Sequence, residues 1–164
     1  MAKSGYKKSN IKKIEIIENV PVKNNRNLII SIVILLIVTF LAFLPALKNG
    51  FVDWDDNSYI VENEQLFQQE NISHYFCKNI YMGNYHPLTM ALFDLQYSLF
   101  GLNSFYFHLT NILLHAINVL LVFWLIFKIT DKKFIISFSA AMLFAIHPLH
   151  VESVAWISEL KDVL

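Results

Sequence analysis

The chain has a single cysteine, Cys77, among 164 residues. With one thiol, no internal disulfide can close and no thiol-based metal site can form. Charge is missing from Leu28 to Leu47. At 1.5 Å rise per residue that run is roughly 30 Å long, the thickness of one bilayer core. Nor does a small-residue cleavage site follow it: Lys48-Asn49-Gly50 stands there instead, behind a long leader. The run therefore reads as a retained signal anchor, not a cleaved signal peptide. Carboxylates are absent from the apolar runs, which argues against cation transport, a role that expects acids near the bilayer midplane. No internal repeat is visible.

What the chain has in abundance is apolar surface. It is 55% hydrophobic and 15% aromatic, with a mean hydropathy of +0.46. A soluble domain rarely reaches that level, and a membrane protein does so routinely. The net charge of zero hides a segregation. Residues 1–27 carry Lys3, Lys7, Lys8, Lys12, Lys13, Lys23 and Arg26 against Glu15 and Glu18. Between Leu47 and Phe107 the balance reverses, with Asp53, Asp55, Asp56, Glu62, Glu64, Glu70 and Asp94 facing only Lys48 and Lys78. Basic residues stay on the cytoplasmic side of a membrane, which puts the N-terminus inside and the acidic segment outside. Asn71-Ile72-Ser73 fits a glycosylation sequon, relevant only in a eukaryotic secretory lumen.

The expected fold is an all-α membrane protein of about three transmembrane helices plus a helix on the outer surface. Residues 1–27 form a basic cytoplasmic tail, and residues 28–164 a transmembrane domain. The spans fall at 28–47, 109–129 and 134–147, with residues 48–106 as the outer segment. Within that segment Pro87 to Phe100 is too short, and too interrupted by Asp94 and Gln96, to cross. Its set Leu88, Ala91, Leu92, Leu95 and Leu99 keeps helical spacing, so it lies along the membrane surface until Gly101 ends it. Lys128, Lys132 and Lys133 close the second span and mark the inner side again. The third span is short, with a break expected before Pro148. Val151 to Leu164 returns to helical spacing, which sets Glu152 and Glu159 seven apart on one face. Three spans bury little against one another, so the chain reads as the N-terminal part of a larger membrane domain.

Several polar groups stand out against this background. Asp53-Trp54-Asp55-Asp56 sets three carboxylates just past the first span, where they must be solvated, neutralised or used. Adjacent acids at such a place suit proton transfer; the plain alternative is a solvated loop in which Asp56 or Asn57 caps a helix. His108, Asn111, His115 and Asn118 fall on one helical face, where polar groups turn toward protein or water. Hydrogen bonding to neighbouring helices accounts for His115 and Asn118, whereas His108, nearer the outer surface, is the better ligand contact. His86 precedes a helix N-terminus, a place that favours anions. His147, His150 and Glu152 flank Pro148, which breaks the helix a zinc pattern would need, so no metal is expected there. With the N-terminus inside, all these groups are expected on one outer face.

Phe51-Val52-Asp53-Trp54-Asp55-Asp56, Tyr85-His86-Pro87-Leu88-Thr89, and the run from His108 through Asn111 to His115 together resemble a known family. So does Ala140 through Ile146-His147-Pro148-Leu149-His150-Val151-Glu152, continuing to Trp156-Ile157 and Lys161-Asp162. The family is the transmembrane and tetratricopeptide-repeat O-mannosyltransferase-like proteins of the GT-C superfamily. The motifs cover residues 50–164 in the family's order. The resemblance implies an inverting glycosyltransferase that takes a sugar, of the mannose kind, from a polyprenyl-phosphate donor to a protein or other hydroxyl acceptor on the outer face. It places the essential acids at Asp55 and Asp56. His86, His108, His147, His150, Glu152 and Lys161 would hold the donor phosphate or orient the acidic loop. Leu160 stands where the family has an arginine. The family's later spans and repeats are not in this sequence, so activity of this stretch alone is not expected.

A phosphate leaves readily, so the chemistry requires no divalent metal, although some superfamily members use one. The expected partners are the lipid-linked donor, a protein acceptor and membrane lipids, with no nucleic acid. The membrane would be the plasma membrane in a bacterium and the endoplasmic reticulum in a eukaryote. A rival from another class is a non-catalytic membrane subunit that binds a partner through its polar outer face. Such a subunit would tolerate loss of the acids.

Overall fold

The computed structural model describes residues 25–67, 72–77, 80 and 83–164. Most of the basic tail, at 1–24, and the sequon's Asn71 lie outside the described residues. Among those described the fold is all-α, with no sheet. The helices are α1 (Asn25–Phe43), α2 (Glu64–Phe67), α3 (Ile72–Cys77), α4 (Pro87–Phe100), α5 (Ser104–Ile129), α6 (Phe134–Ala145), α7 (His150–Ala155) and α8 (Leu160–Val163).

Two of them are long and apolar enough to cross a membrane: Arg26–Lys48, which joins α1 to a 3-10 turn, and α5. Pro45 opens that 3-10 turn, where its missing N–H leaves nothing unpaired. The second long helix starts at Ser104, five residues before the expected 109. Asn103 explains the difference, because its side chain accepts the Phe105 N–H at 3.2 Å and caps the helix. The outer segment is shortened to match.

The third expected span, 134–147, is a helix of only 12 residues. Its rise is about 18 Å, well short of a bilayer core. Ser137, Ala141 and Ala145 form its buried stripe, and residues this small let two backbones approach closely. They bring α6 against Leu35, Val119 and Phe123. In the turn between α5 and α6, Asp131 and Lys132 take left-handed backbone angles, φ 52° and 65°.

Helix α4 matches its expected bounds. One face buries Thr89, Met90, Phe93 and Gln96 and joins Tyr59, Ile60, Leu66, Tyr75 and Phe107 in the outer core. The opposite face leaves Leu88, Leu95 and Leu99 exposed, a second apolar surface that fits the membrane boundary.

The single helix expected over 151–164 is not formed. Trp156 is extended (φ −95°, ψ 125°), and a 3-10 turn over Ile157–Glu159 separates α7 from α8. Glu152 and Glu159 therefore share no helical face. The break is held by side chains on α5. Asn111 Nδ2 donates to the Trp156 carbonyl at 3.0 Å, and Asn118 Nδ2 to the Val163 carbonyl at 2.7 Å. Backbone that leaves a helix needs partners from elsewhere, and these two asparagines supply donors to its carbonyls.

Candidate active site

Asp56 organises the outer end of the bundle. It is 0% exposed. Its Oδ2 accepts the Val52 N–H at 2.8 Å, and its Oδ1 accepts the Ser158 N–H at 2.9 Å and the Ser158 hydroxyl as well. A buried carboxylate is stable only when its lone pairs are filled this way. The cap role is not what Asp56 performs, since its carboxylate makes no bond to the turn it precedes, a π-turn over Asn57–Val61. Asn57 instead donates to the Asp53 carboxylate.

Asp55, next in line, is half-buried and makes no hydrogen bond or ion pair with any described group. Trp54 stands 72% exposed, with its ring 6.0 Å from that of Trp156. His108 lies beneath the loop at 1% exposure, and neither ring nitrogen is hydrogen-bonded. The backbone of Asn49, Gly50 and Ala155 and the Asp56 carboxylate lie near the ring, outside hydrogen-bonding geometry.

Lys161 sits on the same side through the outer core. Its ammonium is 3.1 Å from Glu159. Desolvation by burial alone would lower it, but the hydrogen bond and charge of Glu159, then Tyr59 and Asp162, outweigh that and hold it above the ordinary lysine value. The Tyr59 hydroxyl accepts from Asn84 at 3.4 Å, two residues before His86. His86 itself is half-buried at the start of α4, with no side-chain cap bond.

The remaining histidines gather elsewhere. His115 Nε2 donates to the Ala145 carbonyl at 3.2 Å, which fixes its proton on that nitrogen because a carbonyl can only accept. Its ring lies 5.1 Å from that of His150, which also meets Phe144 at 4.3 Å and His147 at 6.1 Å. Burial, then the nearby His147, pushes the His150 imidazole below its ordinary value. His147 is exposed, and its Nδ1 accepts the Leu149 N–H at 3.3 Å. Glu152 is exposed and makes no side-chain contact with a described group.

The single outer face expected from the sequence is therefore two clusters. Asp56, His108 and Ser158 meet around the acidic loop, while His147 and His150 join His115 at the end of α6. Between α6 and α7, Pro148 lies in the turn that carries the second pair. Among the described residues no three His, Cys, Asp or Glu side chains converge as a metal would need. Ser158 and Tyr59 were not signalled by spacing. Ser158 follows the Trp156-Ile157 pair quoted for the resemblance and is not part of it, so no signal in the sequence pointed to it. In comparisons with protein families, curated proteins and solved structures, nothing matches this chain.

Proposed function

We propose that this chain carries the acceptor-activating face of a membrane glycosyltransferase that uses a polyprenyl-phosphate sugar, of the mannose kind. The observation that carries this reading is the division between neighbours: Asp56 is buried and hydrogen-bonded through both oxygens, and the carboxylate of Asp55 beside it has no partner among the described residues. Asp55 takes the proton of an acceptor hydroxyl, on a protein or another molecule. The oxygen forms its new bond to the anomeric carbon as the carbon–phosphate-oxygen bond breaks, and the lipid phosphate leaves with that electron pair, inverting the anomeric centre. A hydroxyl is a weak nucleophile until a positioned base takes its proton.

Lys161 suits the donor phosphate, because Glu159 keeps it charged and it stays partly open to solvent. His86, at the N-terminal end of the 14-residue α4, is a second candidate for that phosphate. His108 orients the acidic loop from below. The two long apolar helices support a membrane location, with N-terminus inside and the acids outside by the positive-inside rule.

Asp56 itself favours the second reading, a non-catalytic membrane subunit, since its bonds are those of a structural clamp. Transfer of labelled sugar from a polyprenyl-phosphate donor, measured with these spans inside a whole glycosyltransferase membrane domain that carries Asp55 or its Asp55→Asn form, separates the two. Near-normal transfer by Asp55→Asn would leave the subunit reading ahead.

A further inference from the structure

At the lysine-bearing end of the bundle, α1 and α5 diverge and leave an apolar groove of about 260 Å³. Leu28 and Ile32 form one wall, and Phe123, Trp124 and Phe127 the other, with Lys128 at its end. The Lys128 ammonium lies 5.8 Å from the Trp124 ring centroid, a cation–π distance that holds the charge at the mouth. No carboxylate pairs with it among the described residues. Lys132 and Lys133, both exposed in the adjoining turn, add two charges against the single acid Asp131.

We infer that this groove seats an acyl chain of an anionic phospholipid, with Lys128 holding the lipid phosphate. The inference rests on the membrane-spanning reading of α1 and α5. A hydrocarbon-lined slot open to the side is poorly filled by water, and a lipid chain fills it. The uncompensated charge at its mouth then selects the headgroup. Zwitterionic lipids offer a phosphate already balanced by their own cation; anionic lipids do not. Lys132 and Lys133 strengthen the same choice, because a basic cluster at the inner surface attracts the anionic leaflet.

Trp124 is 57% exposed and lines the groove, which makes it a reporter. The 164-residue chain, with Trp54→Phe and Trp156→Phe so that only Trp124 emits, is placed in phosphatidylcholine vesicles. These contain equal mole fractions of either brominated phosphatidylglycerol or brominated phosphatidylcholine. Quenching of Trp124 should report enrichment of the anionic lipid by about fivefold, the effect of one lysine near a membrane surface. Lys128→Gln should cut the preference about fivefold and leave only what Lys132 and Lys133 contribute, Lys128→Arg should keep the preference, and Lys48→Gln, at the other end of the first span, should leave it unchanged. Equal quenching by both lipids in the parent chain, or a preference that Lys128→Gln leaves undiminished, overturns the inference while leaving the spanning reading intact. No quenching by either lipid overturns the spanning reading itself. Sugar-transfer activity enters none of these outcomes.

Discussion

Asp55 and Asp56 are adjacent in the chain and opposite in circumstance. The Asp56 carboxylate is enclosed and receives hydrogen bonds from Val52 and Ser158, whereas the Asp55 carboxylate is half-open and bonded to nothing described. The order of environments divides the roles. One acid holds the loop in shape, and its neighbour is presented by that shape.

Replacement of the two should therefore separate turnover from stability. Asp55→Asn should lower sugar transfer by about 10²–10⁴-fold with little change in donor affinity or in unfolding temperature. Asp53→Asn, which removes an exposed charge and keeps an oxygen able to accept from Asn57, should leave transfer near normal. Kinetics with a labelled polyprenyl-phosphate sugar read all three acids side by side.

Asp56→Ala should destabilise the fold by about 2–3 kcal/mol, because it orphans the buried Ser158 donors and the part-buried Val52 N–H. Ser158→Ala removes only the hydroxyl and should cost less. The double variant should be less destabilised than the two single effects added, since both act on one bonded unit. Denaturant unfolding in detergent measures the set; additive losses would show that the clamp is not a unit.

Asn118→Leu should cost about 0.5–1.5 kcal/mol, the range found for hydrogen bonds between helices in membranes. A cysteine placed at Asp162 should then react faster with a maleimide, as α8 loosens once the Val163 carbonyl loses its donor. Unchanged reactivity would mean that apolar packing around Val163 suffices.

His150 gives the fold a pH dependence with a fixed sign. Its folded value lies below the ordinary 6.5, so the unfolded chain binds the proton first. The stability from its neutral ring is complete above about pH 6.5 and falls as the pH drops below it. Thermal unfolding at about pH 7.5 and about pH 5.5 should differ, and His150→Gln should shrink the difference.

Topology is open to a direct check. With exposed Cys77 replaced by serine, a cysteine at Asn57 should react with an impermeant reagent from outside, and one at Lys132 should not. The reverse pattern would invert the orientation.

Much of this fold was legible where the chain supplies its own punctuation. Pro87 and Gly101 bracket α4, and the charge-free run marks the first long helix. The break at Trp156 was not legible, because Val151 to Leu164 keeps helical spacing and the groups that hold it open lie 45 residues away, on α5. The start of α5 was missed for a smaller reason: Asn103 caps through its own side chain, ahead of any apolar periodicity. The acids were found by composition, but which of the two is free depends on Ser158, and no local pattern carries that information. The histidines were expected together on one face, and the structure instead groups His147 and His150 with His115.

The bond between Asp56 and Ser158 spans 102 positions. A ribosome adding about 5–20 residues per second needs roughly 5–20 s to cover that distance. Throughout that interval Asp56 has only its local partner, so the loop must wait in water beside the translocation machinery. The acidic loop thus acquires its working shape only after α5, α6 and α7 have been made, and Asp55 is presented only when the rest of the bundle is in place. The loop closes last, on a residue made 102 positions after it.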